Sequence, residues 1–87
     1  MDITPHKLEI TYLIKTYDAN GKIMDSISEP DYYLAKMKHI KSMDDSNAHI
    51  IIFSKEVKKH FKTRQTFSYP RYEVLLRRED DRKWVAA

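Results

Sequence analysis

The chain has 87 residues, of which 41% are hydrophobic and 33% charged, with a net charge of +3. That composition suits one small domain with a modest core, and it excludes disorder, collagen-like repeats and low-complexity chains. The single Gly and absent Cys remove glycine-rich phosphate loops, Gly-x-Ser-x-Gly nucleophiles, disulfides, Cys-based zinc sites and thiol catalysis.

The longest apolar run, Ile50-Ile51-Ile52-Phe53, is far short of a membrane helix. Met1-Asp2-Ile3-Thr4-Pro5 has neither a basic nor an apolar signal region, so a cytoplasmic location and no membrane partner are expected. One domain over 1–87 is expected. A domain this small is marginal alone, which makes a homodimer a reasonable route to stability.

Leu8, Ile10, Tyr12 and Ile14 alternate with Glu9, Thr11 and Lys15, the period of a half-buried strand. Asn20-Gly21 is a strong hairpin signal. A two-residue loop there pairs Ala19 with Lys22 and sets Ile14 opposite Ile27, with Ile23, Asp25 and Ile27 on the Ile14 face.

Ser28-Glu29-Pro30-Asp31 reads as a helix start with Ser28 as N-cap. Tyr33, Leu34, Met37, Ile40 and Met43 then recur at helical spacing and predict an apolar stripe packed on the sheet. His39 falls on the polar side. The helix ends near Met43, before Asp44-Asp45-Ser46-Asn47.

Ala48 to Phe53 reads as a strand covered on both sides. For residues 54–62 a short helix is favoured, with Val57 and Phe61 on one face; continued strand is the competing reading. Thr66 to Leu76 is strand material in which Tyr69-Pro70 marks an edge, a bulge or a break. A turn at Asp80-Asp81 then pairs Leu76 with Val85 and Arg77 with Trp84. The expected fold is α+β: an antiparallel sheet of four to five strands with one main helix on one face, in the order ββαβββ.

Histidines 6, 39, 49 and 60 lack metal-ligand spacing, and the acidic pairs 44–45 and 80–81 suit turns, so no metal, cofactor or catalytic centre is expected. Charge carries more information. Residues 1–54 hold six Lys/Arg and eight Asp/Glu, whereas residues 55–87 hold ten and five. The candidate binding residues are Lys55, Lys58, Lys59, Lys62, Arg64, Arg71, Arg77, Arg82 and Trp84. Phe61, Phe67, Tyr69 and Tyr72 are interleaved with them. Basic groups that hold phosphates beside rings that stack on bases are the equipment of RNA and single-strand binders.

The order of elements, closing on Arg-Arg-Glu-Asp-Asp-Arg-Lys-Trp-Val at 77–85, resembles small phage-encoded inhibitors of host defence, anti-CRISPR proteins among them. That resemblance implies a host nucleoprotein as partner, host cytoplasm as the location and no catalytic site. The leading expectation is a non-enzymatic binder of RNA, DNA, a nucleoprotein or an acidic protein surface. Two alternatives stand beside it. One is a small ribonuclease-type toxin recruiting His60, Lys59, Arg64 and Tyr72; the other is a structural or assembly subunit.

Overall fold

The computed structural model describes residues 4–80 and 83–86, and the side chains of all of these except 70–72 and 80. The elements are β1 (Lys7–Tyr17), β2 (Ile23–Glu29), α1 (Tyr32–Met43), β3 (Ile50–His60), β4 (Thr66–Asp80) and β5 (Lys83–Ala86). Five antiparallel-paired strands form one sheet in the order β2-β1-β3-β4-β5. Because β2 and β3 both run antiparallel to the intervening β1, they are parallel to each other. The connection through α1 is therefore a crossover that carries the helix over β1.

The first hairpin recovers its expected register by a different route. The Gly21 N–H donates to the Asp18 carbonyl (3.0 Å) and the Asp18 N–H to the Lys22 carbonyl (2.9 Å), enclosing three loop residues instead of two. Asp18 Oδ1 also accepts from the N–H groups of Asn20 and Lys22, both at 2.9 Å. Gly21 takes φ +79°, the left-handed conformation that closes such a loop. A bulge at Met24 then absorbs the extra residue: Tyr17 pairs with Ile23, but Thr16 pairs with Asp25 and Ile14 with Ile27. Ala19 and Lys22 are not paired across the ladder. The bulge also turns Ile23 to the face opposite Ile14, correcting the expected alignment.

Residues 54–62 form no helix. β3 continues unbroken to His60, paired on both sides by β1 and β4. Two strands offering complete ladders outweigh the weak helical pattern of a Lys-rich segment. β4 runs through Tyr69-Pro70 with a bulge, since Lys55 pairs with Tyr72 and Glu56 with Pro70. The last hairpin is shifted by one residue from expectation: Leu76 pairs with Ala86, Arg77 with Val85 and Arg78 with Trp84. That single step places Trp84 on the helix side of the sheet.

The core is small. Ile14, Ala35, Ile51 and Phe53 are buried, with Tyr12, Ile27, Met43 and Trp84 packed around them. α1 begins at Asp31, not Ser28; Asp31 Oδ1 accepts from the N–H groups of Tyr33 (2.8 Å) and Leu34 (3.1 Å). Ser28 is still in β2, opposite Leu13.

The helix meets the sheet through Ala35 and His39; of the predicted apolar stripe only Met43 packs on the core. Contacts of four side chains set this roll. On one flank the Lys38 ammonium lies 2.7 Å from the Glu29 carboxylate. On the other, the Lys36 ammonium lies 5.6 Å from the Phe53 ring centroid. At the C-terminus the Arg78 guanidinium donates to the carbonyls of Met43 (3.0 Å), Asp45 (2.9 Å) and Ser46 (3.2 Å). The Trp84 Nε1–H donates to the Met43 carbonyl (3.1 Å), and Arg78 stacks on that indole at 4.8 Å. Rotating the helix to bury Met37 would break this set, so Tyr33, Leu34, Met37 and Ile40 face outward. His39, expected on the polar side, is 9% exposed against Phe53, with ring centroids 5.2 Å apart.

The molecule is elongated. Its radius of gyration is 15.7 Å and its extents are 54 × 23 × 19 Å, whereas a compact domain of this length has a radius of about 12 Å. The excess length comes from an arm of three strands.

Candidate nucleic-acid or partner interface

β2 pairs with β1 only from Tyr12 onward, and Tyr32 at the first turn of α1 packs on Tyr12 with centroids 5.4 Å apart. Beyond that level β1, β3 and β4 continue without β2 to the loop at residues 61–65. Strand alternation divides this arm into two dissimilar faces.

The face on the helix side carries Leu8 and Ile10 from β1, Val57 and Lys59 from β3, and Phe67 and Tyr69 from β4, by their pairing. Val57 is buried, but Leu8, Ile10, Phe67 and Tyr69 are exposed. The Phe67 and Tyr69 rings lie nearly parallel, 9° apart with centroids at 6.5 Å. Phe61 meets Phe67 edge-on at 5.6 Å, and the Lys59 ammonium sits 5.4 Å from the Tyr69 centroid. These contacts hold the two parallel rings together, with a cation over the Tyr69 ring.

The reverse face is polar and internally paired. His60 Nε2 lies 3.2 Å from Glu9 Oε2, and its Nδ1 lies 3.2 Å from the Thr66 hydroxyl. Lys58 stands 4.0 Å from the Glu56 carboxylate.

At the tip, Lys62, Thr63 and Arg64 form a loop built like the first hairpin. The Arg64 N–H donates to the Phe61 carbonyl (3.1 Å) and the Phe61 N–H to the Gln65 carbonyl (3.0 Å). Arg64 occupies the place that Gly21 fills in the first loop, at φ +67°. A shallow hollow beside it is lined by His6, His60, Lys62, Arg64, Gln65 and Thr66.

The sequence-derived candidates therefore separate. Lys59 belongs to the aromatic face, whereas Lys62 and Arg64 lie in the tip loop and share its hollow with His60 and Thr66 of the reverse face. Lys55 pairs with Tyr12 on the aromatic face, nearer the helix. Lys58 and Lys59, expected together on a helical turn, lie on opposite faces because the segment is a strand. Arg77 pairs with Ile50 at the far end of the sheet, on the open face. Ten residues of β3 separate that level from His60, roughly 33 Å. The last hairpin therefore does not lie beside the tip.

Trp84, expected beside Arg77 on a binding face, packs on the core and fastens the helix. Arg71 lies in the β4 bulge with its side chain outside the described residues, and Arg82 lies wholly outside them. For the ribonuclease alternative, Lys59 and His60 face opposite sides, and the Tyr72 side chain is outside the described residues. Sequence reasoning missed Arg78, whose role needed the correct register of β5. Its adjacency to Arg77 gave no signal of it.

No group of His, Asp or Glu among the described residues is arranged to hold a metal ion. No helix among them is long and apolar enough to cross a membrane. Among the described residues, His39 and Glu29 titrate away from their ordinary values. Burial, aided by the nearby Lys36 charge, holds His39 below the ordinary histidine value. Bonds from Lys38 and from the Asp31 N–H hold the Glu29 carboxyl below the ordinary glutamate value. No known protein family, curated protein or solved structure matches this chain.

Proposed function

We propose that the protein is a non-enzymatic binder that engages a single-stranded stretch of RNA or DNA, free or within a nucleoprotein, through the aromatic face of its arm. The observation that carries this is the pair of exposed, nearly parallel rings of Phe67 and Tyr69, with the Lys59 ammonium over the Tyr69 ring and Arg64 in the loop at the tip of the arm. Every base has a flat π-face, so two such rings accept successive bases whatever the sequence, while the cations hold the phosphates. A phage-encoded inhibitor of a host nucleoprotein is the biological setting that the closing-segment resemblance implies, and a small binder with one projecting arm suits it.

Fluorescence anisotropy with labelled single-stranded RNA and DNA tests this across a salt series. Binding should weaken steeply with salt, with a log–log slope of about −0.7 for each phosphate neutralised. Replacing Phe67 and Tyr69 with Ala should cost about 1–3 kcal/mol per base stacked. Melting should fall only modestly, because both side chains are 44% exposed and touch little beyond Phe61, Lys59 and each other. Absence of binding to either polymer at low salt refutes nucleic acid as the ligand. A lysate pull-down with and without nuclease then tests an acidic protein surface in its place.

A further inference from the structure

We propose that the outward stripe of α1 is a homodimer interface, on which a second copy of this chain lays its own α1 antiparallel about a two-fold axis at Met37. Tyr33, Leu34, Met37 and Ile40 are 78%, 47%, 66% and 57% exposed. The contacts of Glu29, Arg78 and Trp84 fix the roll of the helix, so this chain cannot turn the stripe inward. Cover must come from another molecule.

The spacing is self-complementary. Leu34 and Ile40 stand three residues either side of Met37, so a two-fold axis there sets each Leu34 against the Ile40 of the second copy. The same operation brings Lys41 of each copy over the Tyr33 ring of the other. Lys41 then lies about 3 Å along the axis from the level of Asp31, an opposite charge. Antiparallel helices also oppose their dipoles favourably.

The area suffices for a weak dimer. The four side chains bare roughly 500 Å² per copy, within the range of the largest patch on a monomer. Two copies therefore cover about 1,000 Å², with the stems of Lys36 and Lys41 adding to it, which reaches the lower end of specific interfaces. Such a pair carries two arms, so a ligand long enough to reach both gains avidity.

Analytical ultracentrifugation from roughly 10 to 300 µM tests this, a range suited to a dimer of micromolar affinity. The native chain should pass from monomer to dimer. Met37→Glu should remain monomeric with unchanged melting, since the position is two-thirds exposed.

Because the chain has no cysteine, Met37→Cys gives a clean geometric readout. Two helices 8–10 Å apart bring residues at the crossing to about 4–6 Å between Cα atoms, a span that a disulfide bridges. Mild oxidation should link this variant into dimers faster than Ser26→Cys on the edge strand β2. A native chain that stays monomeric throughout overturns the proposal and leaves the stripe to a different partner. A dimer that survives Met37→Glu, or faster linkage through position 26, overturns it in favour of the strand edge.

Discussion

Arg64 occupies a backbone conformation that suits glycine, and the first hairpin supplies the internal comparison. Both loops enclose three residues with the same pair of backbone hydrogen bonds, and both put the third residue in the left-handed region. One places Gly21 there and the other Arg64. A residue with a Cβ gives up about 1–2 kcal/mol at such an angle. Arg64→Gly recovers that amount, offset by up to about 1 kcal/mol for the greater freedom of glycine in the unfolded chain. A net gain of about 0.5–1 kcal/mol raises Tm by roughly 2–8 °C for a domain of this size. The same change removes a guanidinium from the tip of the arm. Affinity for single-stranded RNA should then fall roughly fivefold, the equivalent of about 1 kcal/mol, and the salt slope should flatten by about 0.7. Calorimetric melting and anisotropy on one sample read both effects. The reciprocal Gly21→Arg should lose stability with no gain in binding. Nothing lies within 4 Å of a Cβ built at Gly21, so its cost is conformational alone. A fall in Tm for Arg64→Gly refutes the strain argument, and unchanged affinity refutes contact with the ligand.

Three further outcomes follow from named contacts. Lys59→Glu should weaken nucleic-acid binding far more than Lys58→Glu in the same anisotropy assay, because only Lys59 shares a face with Tyr69; equal losses would remove the distinction between the faces. Trp84→Phe should cost about 1 kcal/mol in urea denaturation through the lost bond to Met43, and Arg78→Ala about 1–2 kcal/mol, chiefly through the part-buried Met43 carbonyl, since water can replace the exposed bonds to Asp45 and Ser46. Stability should also depend on His39. In the unfolded chain this residue takes a proton near pH 6.5, whereas burial keeps it neutral to lower pH in the fold. The unfolded state thus binds more protons in that window, so stability is full above about pH 6.5 and falls as pH drops towards the folded value. In urea melts His39→Leu should flatten the difference between pH 7.5 and 5.5, and an undiminished pH effect would assign it elsewhere.

Elements were legible where one physical signal had no competitor. Period-two alternation from Leu8 to Ile14 and the Asn20-Gly21 turn identify the first hairpin, and even the Ile14–Ile27 register survives a longer loop because a bulge cancels it. Residues 54–62 failed because Val57 and Phe61 are four apart, which suits a helix, while Val57 and Lys59 are two apart, which suits a strand. The decision rests with β1 and β4, whose ladders are invisible locally. The Trp84 register failed by one step at a bulge between Arg78 and Asp80, and one step exchanges the faces of a whole strand. The basic residues of the tip were legible as a cluster, but their division between two faces required the strand assignment.

The roll of α1 is the most consequential departure. Its apolar residues do form one stripe, as the spacing predicts, but periodicity reports that a stripe exists and not which way it points. The direction is decided at the ends of the helix. Asp31 fixes where it starts, and Arg78 and Trp84 grip where it stops. Ala35 is small enough to let the backbone approach Ile14 and Phe53 closely, and it lies on the side of the helix away from Tyr33 and Met37. A helix that packed on Met37 would stand farther from the sheet, leaving the Met43 carbonyl out of reach of both donors. The two departures share a consequence. Trp84, expected on a binding face, is spent on holding the helix, while the stripe expected in the core is released to the surface. Arg78 and Trp84 of the closing segment thus serve the fold, and Tyr33, Leu34, Met37 and Ile40, which periodicity assigns to the core, stand at the surface.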